Sequence, residues 1–316
     1  KTHLEINFYS DFADLHAEIF KKMNIFFKDI QPDAFIIMGD RHEMLTAALS
    51  AVMNRIPIVH IGGGHLTEGA IDEKIRHSIT KMSDYHFVHS PLAKERLLKL
   101  NEDNNSIFVT GSPDIDSIKN TEIMDKNELL SELNLKKKEK FILVSVHPET
   151  SKGPQENKIF AEEIYNYLDS LDMSIIITAP CNDPNKQFFV EACDKLQTKS
   201  NVRFVKNLGQ KKYLSAMKYC EFLIGNSSSG IIESTMFDTY VINLGDRQKN
   251  REKSSKVIDC DFSFKEIKAS QKLINERKKK NKKSKKEYLY GRGEFSKKSM
   301  EIIEKINFNK KVKEWK

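Results

Sequence analysis

The stretch Gly225-Asn-Ser-Ser-Ser-Gly-Ile-Ile-Glu233 has the residue types of an anion site. It follows an apolar run and leads into a helical pattern. Backbone N–H groups and the hydroxyls of Ser227, Ser228 and Ser229 are therefore expected to converge at a helix N-terminus, where orphan donors and the helix dipole favour a diphosphate. Glu233, one turn later, suits a ribose diol. The plain alternative is an N-cap serine among small neighbours. No lysine follows, so the stretch is not a P-loop. A second cluster is Asp72-Glu73-Lys74-Ile75-Arg76-His77. On a helix, Asp72 and Arg76 are i,i+4 neighbours, as are Glu73 and His77. Two carboxylates, a guanidinium and an imidazole then share one helical end. Such a group suits general acid–base work, and it equally suits an ordinary charged helix start. A third candidate is His147-Pro148-Glu149, where a strand-end histidine can titrate near neutrality, donate to a leaving phosphate, or serve structure alone. Asp40-Arg41 offers a turn acid that becomes a base if it faces the same site. Lys81, His86 and His89 are read as structural.

These residues sit at the ends of short β-rich runs that alternate with helical patterns. The runs are 34–38, 56–61, 85–88 and 107–110, then 141–146, 174–178, 202–205, 222–225 and 240–243. Strands alternating with helices predict βαβ units and parallel sheets, whose ligands lie outside the carboxyl ends of the strands. The polar endings 39–41, 62–65, 147–149, 182–183, 225–230 and 245–247 are therefore one kind of surface. The polar, helix-rich stretch 114–140 marks the boundary between two doubly wound domains facing a cleft.

Composition narrows the function classes. The chain has 316 residues and a formal charge of +7, from 52 basic and 45 acidic residues. Eight of the basic residues fall in Arg277–Lys286, a run without an acid, and the remainder of the chain stands at −1. This is a near-neutral globule with one basic segment. The run lacks the interleaved aromatics that stack on bases, so nucleic acid is not the expected partner. Four scattered cysteines (Cys181, Cys193, Cys220, Cys260) show no metal-ligand spacing and fit a reducing compartment. No apolar run reaches membrane-span length and no signal-peptide core opens the chain. A cytoplasmic protein without metal is the expectation.

Taken together, Gly39-Asp-Arg-His-Glu43, Ile56-Pro-Ile-Val-His-Ile-Gly-Gly-Gly64, the segment Ala70–Ser83, His147-Pro-Glu149, Gly225–Glu233, Gly245-Asp-Arg-Gln248 and Tyr290-Gly-Arg-Gly293 resemble the hydrolysing UDP-N-acetylglucosamine 2-epimerases. Within that family the likeness is to the bacterial branch that makes N-acetylmannosamine for sialic acid. The resemblance runs in order from about residue 30 to about 300. It implies an α/β fold of two Rossmann-like domains with parallel sheets in a glycosyltransferase-B arrangement. The first would span 1–115, the UDP-binding second 116–295, and a C-terminal helix over 296–316 would cross back to the first. It implies proton removal at C2 with anti elimination of UDP to 2-acetamidoglucal, then hydration, with no cofactor. Carried over by position, Asp40 and Asp72 are the acid–base carboxylates with Glu73 beside them, Arg76 orients the acids, and His147 assists at the leaving phosphate or the sugar. Ser227, Ser228, Ser229 and Gly230 would hold the diphosphate and Glu233 the ribose. Asp183, Arg247 and Arg251 would add polar and positive contacts. A homo-oligomer is the usual assembly.

Two departures from the resemblance stand out. Many members carry an acid at the positions of Gly62 and His65, and neither is acidic here; Glu68 is the nearby substitute. The family's opening strand and Thr-Gly-x-Arg-like loop find no match, so a chain lacking that segment, with exposed strand edges in its first domain, is expected. The same scaffold also suits a UDP-linked 2,4-diacetamido-trideoxy sugar. Other readings are a glycosyltransferase that needs an acceptor and retains C2 configuration, a non-catalytic UDP-sugar-binding paralogue, and a polyanion binder acting through Arg277–Lys286.

Overall fold

The computed structural model describes residues 4–6, 11–66, 71–280 and 287–308. Glu68, residues 281–286 of the basic run and the tail beyond 308 lie outside them. Contacts divide the described backbone into two units: 11–65, 71–113 and 294–308 in the first, 114–280 and 287–293 in the second.

The first unit opens with α1 (Phe12–Ile30), whose N-terminus is capped by the Asp11 carboxylate accepting from the amides of Ala13 and Asp14. Then follow β1 (Phe35–Met38), α2 (His42–Met53), β2 (Ile58–Ile61), α3 (Ile71–Met82), β3 (Tyr85–Val88), α4 (Pro91–Lys99) and β4 (Ile107–Val109). Ser90 caps α4 and Pro91 stands at its first position, where a missing N–H costs nothing. The four strands pair in parallel in the order β1-β2-β3-β4. Strands β2 and β3 are buried along their whole length, as expected for strands covered on both faces. On one face Ile19, Met23 and Phe27 of α1 pack with Ala47, Ala48 and Ala51 of α2 against Ile37, Ile58, Ile75 and Ile79.

In the second unit come α5 (Pro113–Asn120), α6 (Lys126–Glu132), β5 (Phe141–Ser145), α7 (Pro154–Asp169), β6 (Ser174–Thr178), α8 (Lys186–Leu196), β7 (Val202–Val205), α9 (Gly209–Tyr219) and β8 (Leu223–Gly225). They are followed by α10 (Ser234–Phe237), β9 (Val241–Leu244), β10 (Val257–Cys260) and α11 (Phe264–Lys279). The sheet is parallel with order β10-β9-β8-β5-β6-β7. Its order reverses between β5 and β8, the topological switch point at which open α/β sheets bind ligands. Alternation along β5 builds both cores. Ile142 and Val144 face α7, α8 and α11, while Phe141 and Leu143 face α6 and α9. Strand β10 was not expected from the sequence: Val257-Ile258 is followed by Asp259-Cys260, and no residue of the strand is buried.

The last helix, α12 (Phe295–Ile303), belongs to the first unit. Phe295, Ile302, Ile303, Ile306 and Phe308 cover Val59, Ile61, Tyr85 and Phe87. Among the described residues no helix is long and apolar enough to cross a membrane.

Among the described residues β1 forms one edge of the first sheet, and its Ile36 and Met38 are 50% and 62% exposed on the same face. An edge carrying exposed apolar side chains invites pairing with another chain. Met38→Lys is expected to lower concentration-dependent light scattering while leaving the unfolding free energy from urea melts within about 0.5 kcal/mol of the parent. Unchanged scattering would show that the edge is not the site of association.

Candidate functional site

In the first unit, register brings the strand ends level: Met38 lies opposite Ile61, and Val88 opposite Val109. The turn Gly39-Asp40 follows β1, and the amides of Gly39 and Gly62 donate to Ile61 and Phe87 carbonyls at 3.0 Å. Three glycines follow β2. Gly64 (φ +78°) packs so closely on α4 that a Cβ would stand 2.4 Å from the Ala93 carbonyl oxygen.

Arg76 is the hub of this surface. Although its side chain is only 2% exposed, it pairs with Asp40, with Glu73 at 2.8 Å, and donates to the His65 carbonyl at 2.6 Å. Glu73 also meets His77 Nε2 at 2.9 Å. The i,i+3 and i,i+4 spacings on α3 place Glu73 between the two basic groups. Asp72 lies in the first turn of α3, and it and Asp40 both act electrostatically on Arg41. Below them His60 is fully buried, its rings atoms Nε2 and Nδ1 bonded to the Gly39 carbonyl at 3.0 Å and the Thr80 hydroxyl at 3.2 Å. Burial drives its pKa down to about 4, so it supports the Asp40 turn as a neutral ring.

His89, read as structural, has a partner that its own sequence neighbourhood does not indicate. It stands at the end of β3, and its Nδ1 meets His65 Nε2 at 2.7 Å. Lys81 and His86 do serve structure, joined to buried Glu102 at 2.9 and 3.0 Å.

In the second unit the polar groups gather at the ends of β5, β6, β8 and β9. His147 follows β5, and Asn226 after β8 clamps its backbone from both sides, accepting from His147 N at 2.8 Å and donating to His147 O at 2.9 Å. The Cys181 amide donates to His147 Nδ1 at 3.0 Å, which leaves the hydrogen of a neutral ring on Nε2. Burial first, then the nearby Arg247 charge, lowers its pKa to about 4. The expectation that this histidine titrates near neutrality is thereby corrected: it is a neutral donor at pH 7. Arg247 NH1 lies 3.3 Å from Asp183 Oδ2 and 3.3 Å from the Pro148 carbonyl. Glu149 is 2% exposed and takes no part in the surface. Its Oε1 accepts from the amides of Asp246 and Arg247 at 2.8 and 3.3 Å, holding the loop that carries Arg247. Arg251 lies four residues further along that loop, its amide bonded to the Gln248 carbonyl at 3.2 Å.

The serine segment differs from its expected form. Residues 228–230 are a single 3₁₀ turn, and the α-helix after them has only four residues. The three hydroxyls do not converge on one outer point. Ser229 Oγ meets Tyr213 OH at 2.6 Å and Ser227 Oγ at 3.1 Å, so Tyr213 of α9 draws Ser229 inward. Ser228 remains exposed, and the amides of Ser227 and Ser228 donate to no protein acceptor among the described residues. Gly230 is buried where a Cβ would press to 3.2 Å on Leu223 and Val241. Its role is packing. Glu233 has its pKa raised to about 7, by burial first and the Asp114 carboxylate second.

The family described as UDP-N-acetylglucosamine 2-epimerase matches residues 1–304. The chain belongs to this family. Among its curated members, the chain is 41% identical over 245 residues to the GDP/UDP-N,N'-diacetylbacillosamine 2-epimerase (hydrolyzing) of Campylobacter jejuni. That match covers 75% of the chain and 62% of the relative, so the chain spans less than two thirds of that relative's length. It is 31% identical over 287 residues to the UDP-N,N'-diacetylbacillosamine 2-epimerase (hydrolyzing) of Legionella pneumophila, covering 90% of the chain and 74% of the relative. The UDP-N-acetylglucosamine 2-epimerase of Methanocaldococcus jannaschii, solved with UDP-N-acetylglucosamine and UDP, shares the α/β fold with a TM-score of 0.78 at 20% identity over 94% of this chain and 82% of that one. The epimerase family is thus the one the motifs indicated. The sialic-acid branch is not where these two relatives lie; both are named for diacetylbacillosamine.

Proposed function

We propose that the chain is a hydrolysing 2-epimerase acting on a UDP-linked 2,4-diacetamido-2,4,6-trideoxy sugar in preference to UDP-N-acetylglucosamine. Support for the substrate comes from the 41% identity to the Campylobacter relative. The observation that carries the chemistry is buried Arg76 pairing with both Asp40, after β1, and Glu73, in the first turn of α3.

In this reading Asp40 of the set, or Asp72 beside Glu73 on α3, removes the proton at C2. The C1–O bond breaks anti to it, its electron pair leaves with the diphosphate, and a C1=C2 glycal remains. Water then adds its oxygen to C1 while C2 regains a proton on the opposite face, giving UDP and the free 2-epimer. His147, a neutral Nε2–H donor, and Arg247 stabilise charge on the leaving diphosphate. The Ser227 and Ser228 amides bind it, and Glu233 accepts from the ribose hydroxyls.

The Glu233 assignment has a pH signature. A pKa near 7 means the carboxylate is mostly ionised at pH 8 and mostly protonated at pH 6. UDP affinity is expected to fall about tenfold between those pH values, and calorimetric titration of Glu233→Gln should show no such change. Stability runs the other way. A carboxyl whose folded pKa lies above its unfolded value stabilises fully below about pH 4.5, and loses that contribution as pH rises to 7. Glu233→Gln is therefore expected to gain on the order of 2 kcal/mol over the parent at pH 8 and nothing at pH 4.

Substrate choice is tested by offering both UDP-sugars in equal amounts and following each by chromatography. Consumption of the diacetamido sugar at least tenfold faster is expected; equal rates, or faster loss of UDP-N-acetylglucosamine, would overturn the preference.

A further inference from the structure

His147 and Arg247, the two groups given to the leaving diphosphate, are joined by a closed ring of buried hydrogen bonds. From His147 the backbone runs through Pro148 to Glu149, whose Oε1 accepts from the amides of Asp246 and Arg247 at 2.8 and 3.3 Å. From Arg247 it runs to Gln248, whose Nε2 donates to the Asn226 carbonyl at 3.1 Å. The Asn226 side chain closes the ring on the His147 backbone, through its bonds of 2.8 and 2.9 Å. Glu149, Gln248 and Asn226 are 2%, 3% and 0% exposed, so water does not compete for these bonds. Two glycines allow the approach. A Cβ on Gly225 would collide with the Ser145 carbonyl, and one on Gly245 with the Glu149 carboxylate. Gln248 is the informative member. Its Oε1 is buried and meets no partner among the described residues. A buried acceptor without a donor is costly, and an apolar side chain of similar length avoids that cost. The amide is therefore explained by the bond that its Nε2 makes, not by net stability.

We propose that Gln248, acting through Asn226, is a positioning residue that sets His147 and Arg247 as one unit against the leaving diphosphate. The proposal rests on the epimerase reading. His147 offers a donor at Nε2 only while its Nδ1 stays against the Cys181 amide, at 3.0 Å. Asn226 keeps it there by holding the His147 backbone, and Gln248 holds Asn226. Gln248 also follows Arg247 in the chain, so one frame carries the imidazole and the guanidinium. Charge on the diphosphate grows as the C1–O bond breaks, and donors already in place stabilise it without reorganising. A displacement of about 1 Å forfeits on the order of a hundredfold in rate.

The test compares the parent with Gln248→Met, Asn226→Ala and the double variant. It uses urea melts, turnover of the UDP-diacetamido sugar, and the imidazole nitrogen resonances of His147. Gln248→Met strands the Asn226 carbonyl but also removes an orphan acceptor, so it is expected to melt with the parent's midpoint and slope. Its kcat should fall about thirtyfold and its KM stay within about threefold, because the ring acts on charge that develops after binding. Its His147 nitrogens should shift toward the average of the two tautomers, where the parent shows hydrogen on Nε2 alone. Asn226→Ala removes the clamp itself and should lose at least as much. The double variant should turn over within about threefold of Asn226→Ala, because both residues act through one ring. Turnover by Gln248→Met within about threefold of the parent overturns the proposal, as does a loss that comes with a lowered urea midpoint. Full addition of the two losses in the double variant overturns it as well. If the parent turns over no UDP-sugar, the epimerase reading fails, and the resonances decide. Shifted His147 nitrogens in Gln248→Met then uphold the positioning role, and unchanged ones overturn it.

Discussion

Arg76→Met will lower the stability of the chain by on the order of 3–5 kcal/mol and abolish measurable turnover. The reason is geometric. One guanidinium, 2% exposed, serves Asp40, Glu73 and the His65 carbonyl at once. Methionine fills much of the volume but removes the donor shared by Asp40, Glu73 and the His65 carbonyl, and the two carboxylates lose the cation between them. Arg76→Lys restores a positive charge without the planar fork that reaches several acceptors, so it should recover only part of the loss. Urea melts of the three proteins check this. A methionine variant with the parent's midpoint and slope would show that the cluster is no anchor of the first unit.

Asp40→Asn separates chemistry from structure. The amide keeps an oxygen for Arg76, Glu73 still pairs at 2.8 Å, and the Gly39 turn is still held through His60 at 3.0 Å. The fold should melt within about 1 kcal/mol of the parent. Turnover should fall about a thousandfold, because an amide cannot take or return a proton. KM should change little, so the loss reads as a lower kcat at every substrate concentration. Turnover within threefold of the parent would assign the proton work to Asp72 or another group.

How far the sequence reaches depends on the range of the interaction that does the placing. Runs such as Phe141–Ser145 and Ser174–Thr178 are legible because β-branched and apolar residues fill both faces of a covered parallel strand. Val257–Cys260 escapes because an edge strand needs less burial, and Asp259-Cys260 breaks its apolar run. Within the site, Glu73, Arg76 and His77 are legible because helical spacing fixes them as neighbours. The contacts that cross between strand ends are not. Nothing local to His89 indicates His65, 24 residues earlier, and only the level register of β2 and β3 brings them together. Tyr213 likewise removes Ser229 from the expected ring of hydroxyls through a contact 16 residues apart. The lowered pKa of His147 also owes part of its shift to Arg247, on a loop that Glu149 holds from 97 residues away.

On the epimerase reading the chain exchanges the proton at C2 while cleaving the sugar from UDP. Proton NMR of the purified chain with the UDP-linked 2,4-diacetamido-2,4,6-trideoxy sugar in deuterated water tests it directly. Free 2-epimerised sugar carrying deuterium at C2, formed in step with UDP, is the expected result. Free sugar that keeps its original C2 proton and configuration, or UDP-sugar that stays intact, would contradict it.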